Sequence, residues 1–181
     1  MLTAPRSLIL NAVLFQVGWF ACIFGATRPW LLTVALACLA AHFIWIAHWR
    51  NEGRLVASVA LFGCALDSFL LNLGVFDFAG DSRLLPAWLA LLWALFATTL
   101  NHSLAWSARP WWLASVLGAV GGPLSYYAGA QLAGVGLPLG LWPTLLLLSA
   151  IWAAVMLVAH GFAGMYRAKA LSGHRSPGGQ A

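Results

Sequence analysis

Residues 55–75 read LVASVALFGCALDSFLLNLGV, an uninterrupted apolar stretch in which Asp67 is the only charged residue. A helix crossing the roughly 30 Å hydrocarbon core of a bilayer needs about 20 such residues. The stretch is rich in Leu and Ala and lacks the strict alternation of an outer-membrane strand. It therefore predicts a transmembrane helix that carries an ionisable group inside the membrane.

The composition of the whole chain supports the same interpretation. Of its 181 residues, 62% are apolar and 7% are charged, whereas charged residues make up about a quarter of a typical soluble domain. The nine Lys and Arg are scattered along the chain and do not form a basic stripe, which excludes a nucleic-acid partner. The expected partner is the lipid bilayer, together with a small-molecule or lipid substrate.

Six apolar runs without Lys or Arg follow one another, and we predict an all-α integral membrane bundle of six transmembrane helices. Residues 1–169 are expected to form one domain. The intervening segments, among them residues 50–54, are interpreted as short connections. Residues 170–181, which contain Ser, Gly, His and Pro, are expected to form a flexible cytoplasmic tail. The predicted spans are 8–25, 30–49, 55–75, 84–106, 110–132 and 140–162.

The distribution of Lys and Arg predicts the orientation of this bundle. With a cytoplasmic N-terminus, seven of the nine basic residues fall on the cytoplasmic side, and only Arg28 and Arg83 fall on the other. Cytoplasmic loops carry such an excess of Lys and Arg. We therefore expect a multi-pass protein of a bacterial inner membrane with both termini in the cytoplasm.

Asp67 is the residue with the clearest functional implication. It lies about 18 Å along its helix, near the middle of the bilayer core. An acid at that depth costs about 2.5–3.5 kcal/mol on insertion scales and usually marks a functional site. The alternative is a carboxyl group that binds a neighbouring helix as a packing contact. No Lys or Arg lies in a predicted span, so its partner must be a neutral polar group or a histidine.

The polar residues of the other runs are the candidate partners. At the middle depth these are Gln16, His42 and Tyr126, and all three are candidates for an intramembrane polar site with Asp67. Asn101 and His102 lie closer to the cytoplasmic edge and predict a second polar layer. We expect Asp67, Gln16, Asn101 and His102 to face the interior of the bundle.

The fifth run contains a helix-breaking sequence, Gly121-Gly122-Pro123. Proline lacks an N–H group and would leave the carbonyl of Ala119 without its helical partner. We therefore predict a kink or break at these three residues. Gly118 and Gly122 form a small-xxx-small pair, which predicts close approach of a neighbouring helix.

Motifs for established chemistries are missing from the sequence. It contains no HExxH, CxxC, phosphate-binding loop or GxSxG sequence. His42 and His48 have no clustered ligands near them in sequence, so they do not form a histidine box for iron. No metal site and no cofactor are expected.

Several motifs resemble a family of small polytopic bacterial inner-membrane proteins known only as a domain of unknown function. They are NAVLFQVGWF at residues 11–20, WALF at 93–96 and LNHSL at 100–104, with Asp67 between them. Gly122-Pro123 followed by Tyr126 completes the pattern. The resemblance extends over nearly the whole chain and implies a bacterial source and a helical bundle, but no activity.

Three functional hypotheses follow. The first is a carrier or permease-like protein for a small solute, lipid or proton, suggested by the central acid and the broken fifth span. The second is a membrane-embedded enzyme or accessory subunit in lipid acyl-chain metabolism, suggested by histidines near the cytoplasmic headgroup level. The third is a structural membrane subunit in which the polar residues are packing contacts.

Overall fold

The computed structural model describes residues 4–78 and 85–173. Within these residues the chain is helical, with no strand, and the all-α class is confirmed. Short 3₁₀ helices at Pro29–Leu31 and Ala105–Ala108 lie before the second and fifth α-helices. The α-helices are α1 (Ala4–Gly25), α2 (Leu32–Trp45), α3 (Trp49–Asn72), α4 (Ala87–Ala97), α5 (Trp111–Ala133) and α6 (Leu141–Gly173).

Two predictions fall partly beyond this range. Arg83, which was counted for the orientation, lies outside the described residues, as do residues 174–181 of the expected tail. The backbone of residues 170–173 continues α6, so this part of the predicted tail is helical.

Three of the described helices, not six, are long and apolar enough to cross a membrane. They are Pro5–Gly25 in α1, Trp49–Asn72 in α3 and Leu141–Lys169 in α6. The run predicted at 30–49 contains an apolar helical stretch of 17 residues, Pro29–Trp45. Helix α5 has 23 residues but is not one of the three helices that are both long and apolar enough to cross a membrane.

The structure differs most from the predicted spans in the run at 84–106, where α4 has only 11 residues. The hydroxyls of Thr98 and Thr99 bond the carbonyls three residues earlier, at 2.7 and 2.6 Å. The amide of Asn11 on α1 donates to Thr98 O at 3.1 Å and accepts from the Ser103 N–H at 3.2 Å. Residues 98–104 therefore leave the helix as tight turns, with the Asn11 side chain replacing missing helical bonds.

Helix α3 also begins earlier than predicted. It starts at Trp49, so Arg50, Glu52 and Arg54 occupy its first two turns instead of a connection. An acid in the first turn of a helix interacts favourably with the helix dipole. The connection between α2 and α3 is the shorter segment 46–48, and Glu52 is carried into the bundle on a regular helix.

Helix α5 is continuous through Gly121, Gly122 and Pro123, so of the predicted kink or break the break is absent. The Ala119 carbonyl, which loses its helical donor to Pro123, accepts a hydrogen bond from Ser149 Oγ on α6 at 2.8 Å. A neighbouring helix thus supplies the missing donor, and helical geometry is kept.

Small residues allow α5 and α6 to approach closely. A methyl group on Gly118 would overlap the carbonyl oxygen of Trp152, and one on Gly122 would overlap the Trp152 ring. Ser115 Oγ donates to Ala153 O at 3.1 Å across the same interface. The two glycines therefore set the separation of this helix pair, as small residues do in membrane bundles.

Contacts between helices define two ends of the bundle. The first is the end at which Glu52 lies, and we call it the Glu52 end. There Ser107 Oγ lies 2.9 Å from His160 Nε2, and Ser58 Oγ lies 2.7 Å from Tyr166 Oη. At the opposite end, the backbones of Asp77 and Gly136 exchange two hydrogen bonds. The N-terminal part of α1, the C-terminal part of α2 and the start of α3 all lie at the Glu52 end.

The outer surface of the bundle is apolar. Leu61, Leu146 and Ile44 are exposed by 70–72%, whereas Asn11 and His42 are 1% exposed. Soluble proteins have the reverse arrangement, with large exposed apolar patches being rare. This distribution is expected for helices that are surrounded by lipid.

The first prediction concerns the α5–α6 interface. Gly118→Ala should destabilise the protein by roughly 1–3 kcal/mol, because its methyl group meets backbone that cannot rotate away. Gly161→Ala on α6 is the matched control, since nothing lies within 4 Å of a methyl group there. Thermal unfolding in detergent measures both, and equal midpoints for the two variants would contradict this packing.

Candidate functional site

Two buried carboxyl groups lie on the same helix. Glu52 is in the first turn of α3, and Asp67 is 15 residues further along, a separation of about 22 Å on a straight helix. Both are at least 90% buried, at 8% and 0% exposure. Burial of a carboxyl group is costly unless its oxygens receive hydrogen bonds, so the partners of each group indicate its role.

Asp67 is held by two aromatic donors. Trp93 Nε1–H on α4 donates to Oδ2 at 2.6 Å. Tyr126 O–H on α5 lies 2.7 Å from Oδ1 and 2.8 Å from Oδ2. Both oxygens of the carboxyl group therefore have a partner, and we call these three residues the Asp67 cluster.

Aromatic packing closes the Asp67 cluster. Trp93 stacks on Trp152 with ring centroids 5.2 Å apart and planes 8° apart. Phe76 stacks on Tyr126 at 5.4 Å. Gly63 lies directly against the Trp93 ring, where a methyl group would overlap it. A cavity of about 50 Å³ beside the cluster is lined by Trp93 and Tyr126 and not by the carboxyl group.

Glu52 is bound by nitrogen atoms from two other parts of the chain. His42 Nε2 on α2 lies 3.1 Å from Oε2, and His102 Nε2 lies 3.1 and 3.2 Å from the two oxygens. Asn101 Nδ2 donates to Oε1 at 3.0 Å. The exposed fractions of the side chains are 1% for His42, 11% for Glu52 and 17% for His102. His102 therefore provides the route from this carboxyl group towards the surface.

Asn11 completes this group, which we call the Glu52 cluster: Glu52, His42, His102, Asn101 and Asn11. Its amide orientation is fixed by two backbone groups, because Nδ2 donates to Thr98 O and Oδ1 accepts from Ser103 N–H. The same Nδ2 lies 3.3 Å from His42 Nδ1. An N–H group facing Nδ1 assigns the proton of a neutral His42 to Nε2, from where it is donated to Glu52.

The residues predicted for one polar site are thus divided between separate places. Tyr126 lies against Asp67, whereas His42, Asn101 and His102 surround Glu52. Gln16 belongs to neither cluster; contrary to the expected interior position it is exposed, and it lines a cleft. Asn101 and His102, from which a second polar layer was predicted, both contact Glu52.

Sequence reasoning missed Glu52 because residues 50–54 were assigned to a connection. Hydropathy places charged residues outside a span, and two arginines flank this acid. The available signal was its position at the start of a helix, where acids are favoured. Its two histidine partners are 10 and 50 residues away, so no local motif links them.

The Glu52 cluster contains a possible set of metal ligands. One ligand atom each from His42, Glu52 and His102 lies within 4.8 Å of the others. Two imidazoles and one carboxylate are donors that Zn²⁺ and Fe²⁺ bind in proteins. From the sequence we expected no metal site, because the spacing of neighbouring residues does not detect ligands that meet only after folding.

A cleft of about 500 Å³ opens between α1, α5 and α6. Its walls are mostly apolar and include Phe15 and Leu104, which is two residues after His102. Phe15 is one helical turn from Asn11 and shares its face of α1. Trp19 Nε1 donates to Ser125 Oγ at 2.9 Å, and both residues line the cleft.

The fold and the two clusters define a class: an all-α protein whose described part has helices able to span a membrane and encloses two buried carboxyl groups. The chain belongs to the family described as "Protein of unknown function (DUF2878)", whose model matches residues 8–158. The expected membership of a domain of unknown function is therefore confirmed. No curated protein and no solved structure matches the chain.

The second prediction tests the Asp67 cluster as a packing contact. Tyr126→Phe removes a hydrogen-bond donor from a fully buried carboxyl group and should lower the free energy of unfolding by about 1–3 kcal/mol. Tyr127→Phe is the matched control, because Tyr127 is 37% exposed. Unfolding in detergent compares the two variants; a Tyr126→Phe protein as stable as the control would show that Asp67 does not depend on this bond.

Proposed function

We propose that this chain is a multi-pass protein of a bacterial inner membrane that acts on lipid in the cytoplasmic leaflet, as an enzyme or accessory subunit in acyl-chain metabolism. The Glu52 end also carries Arg50, Arg54 and Arg109, which supports a cytoplasmic position under the positive-inside rule. The N-terminal part of α1 and the C-terminal part of α6 lie at the same end. Both termini are accordingly assigned to the cytoplasm.

One observation carries this proposal: Glu52, His42 and His102 meet inside the bundle, at the end that we assign to the cytoplasmic side. Ionisable groups within membrane helices are costly and are usually kept for function. Asp67 differs because its partners are two aromatic side chains in closed packing. The Glu52 cluster instead has a partly exposed imidazole and is the better candidate for chemistry.

The cleft supports lipid as the substrate class. Its volume of about 500 Å³ is in the range of small-molecule sites, which are typically about 300–1,000 Å³ and mainly apolar. Its walls include Phe96, Trp152 and Met156. These side chains suit an acyl chain, and the polar end of that lipid would lie towards the Glu52 cluster.

A carrier is the second candidate, favoured by a different feature of the cleft. Gln16 and Ser125 place polar groups among its apolar walls, as a site for a polar solute requires. A carrier predicts flux of a solute across vesicles that contain the purified protein. A lipid enzyme predicts a changed acyl composition in cells and no such flux.

The third prediction is that a variant with a filled cleft gives the same lipid profile as a strain that lacks the protein. Gly121 borders the cleft, and no atom lies within 4 Å of a Cβ atom added there. Gly121→Leu should therefore fold normally but exclude an acyl chain. A deletion strain should show an altered lipid profile that the wild-type chain restores and the Gly121→Leu chain does not.

The control for this experiment is Gly161→Leu, which adds the same side chain to an open position on α6 and should restore the profile. An unaltered lipid profile in the deletion strain would refute the proposed function. Full restoration by Gly121→Leu, at wild-type protein level, would refute the role of the cleft.

A further inference from the structure

We infer that His42, Glu52 and His102 bind a divalent first-row transition metal ion, with Zn²⁺ as the best match to the ligands. Metal binding itself follows from the geometry of the Glu52 cluster. The role of the metal as a cofactor for lipid chemistry rests on the proposed function. No other group of three or more His, Cys, Asp or Glu side chains with such close ligand atoms is found among the described residues.

The distances are those of a nearly formed site. The two histidine Nε2 atoms lie 3.1–3.2 Å from the glutamate oxygens. Tetrahedral Zn²⁺ holds nitrogen and oxygen ligands at about 2.0–2.2 Å, which places neighbouring ligand atoms about 3.3–3.5 Å apart. Each imidazole thus needs to move only a few tenths of an ångström away from the carboxylate to admit the ion, and the ligand atoms of all three side chains already lie within 4.8 Å of one another.

The electrostatics of the cluster also favour a cation. Its carboxyl group is buried in a bundle with an apolar exterior, and its described ion-pair partners are two histidines, which are neutral unless protonated. A divalent ion compensates a buried carboxylate directly, as buried charges require. Three protein ligands leave a fourth position open, which is the arrangement of catalytic rather than structural zinc.

Asn101 provides an independent indication of a missing ligand. Its Nδ2 donates to Glu52 Oε1, while its Oδ1 is buried and has no hydrogen-bond partner. An acceptor buried without a donor is costly and calls for a further group at that place. Water on a bound metal is such a donor, and it would lie beside the carboxylate that Asn101 already contacts.

Asn11 limits the affinity of the site. A histidine that ligates through Nε2 carries its proton on Nδ1 and normally donates it to an acceptor. Here Nδ1 of His42 faces the Asn11 N–H group at 3.3 Å. Metal binding must release the Nε2 proton and place one on Nδ1, opposite a donor. Asn11→Asp supplies the missing acceptor and keeps an oxygen for Ser103 but loses the donor to Thr98 O, so it should strengthen binding in a variant whose helical content is unchanged.

The fourth prediction uses the purified full-length chain in detergent, stripped with a chelator and titrated with Zn²⁺. We expect one ion per chain by calorimetry and elemental analysis, and a visible absorption spectrum of tetrahedral type when Co²⁺ is used instead. Glu52→Gln and His102→Ala should each weaken binding at least 100-fold. Asn11→Asp should tighten it by about 10–100-fold, the usual range for groups that orient a ligand.

A further variant separates ligand loss from a general loss of histidine. His48→Ala removes an exposed histidine outside the cluster and should bind Zn²⁺ as the wild type does. Helical content by circular dichroism verifies that each variant is folded.

The inference is overturned if the wild-type chain binds no Zn²⁺ and no Co²⁺, or if folded Glu52→Gln and His102→Ala chains bind as tightly as the wild type. Its failure is distinguishable from failure of the proposed function. An altered lipid profile without metal binding would leave the lipid role standing and refute the metal. Specific metal binding with an unaltered lipid profile would leave the metal site standing and refute the lipid role.

Discussion

The structure of the Glu52 end depends on one requirement: the buried Glu52 carboxyl group must receive hydrogen bonds, and three nitrogen atoms around it provide contacts of this kind. An apolar bundle offers no bulk water, so a buried acid stays in place only if the protein supplies its hydrogen bonds. Here they come from His42 on α2 and from Asn101 and His102 after α4. Asn11 links the same group to α1. One side chain thereby fixes the relative positions of four segments.

The same helix shows how partners decide what a buried acid can do. Asp67 accepts bonds from Trp93 and Tyr126, whose rings are held by further stacking. Both donors are held in closed aromatic packing, and the cluster has the character of an interhelical packing contact. Glu52 is bound by imidazoles, which both donate protons and ligate metals. The acid in the middle of the helix is therefore structural in this account, and the acid at its end is the reactive candidate.

The sequence predicted the parts of the fold that depend on local composition. Apolar runs located the helices, and Gly118 and Gly122 indicated the close α5–α6 contact. It did not predict the early end of α4 or the continuity of α5 at Pro123, because both depend on side chains from other helices, Asn11 and Ser149. The Glu52 cluster was missed for the same reason: its two histidines are 10 and 50 residues from Glu52 in sequence and meet it only after folding.

The tautomer of His42 is the most direct test of this account, because it reports the contacts of Asn11, His42 and Glu52 together. Nitrogen NMR of the metal-free protein, labelled with ¹⁵N-histidine and assigned with a His42→Gln variant, measures it. The account predicts a neutral ring with a protonated Nε2 and a bare Nδ1. A ring protonated at Nδ1 would mean that Asn11 does not face it as an N–H donor, and the arrangement of the Glu52 cluster described above would be wrong.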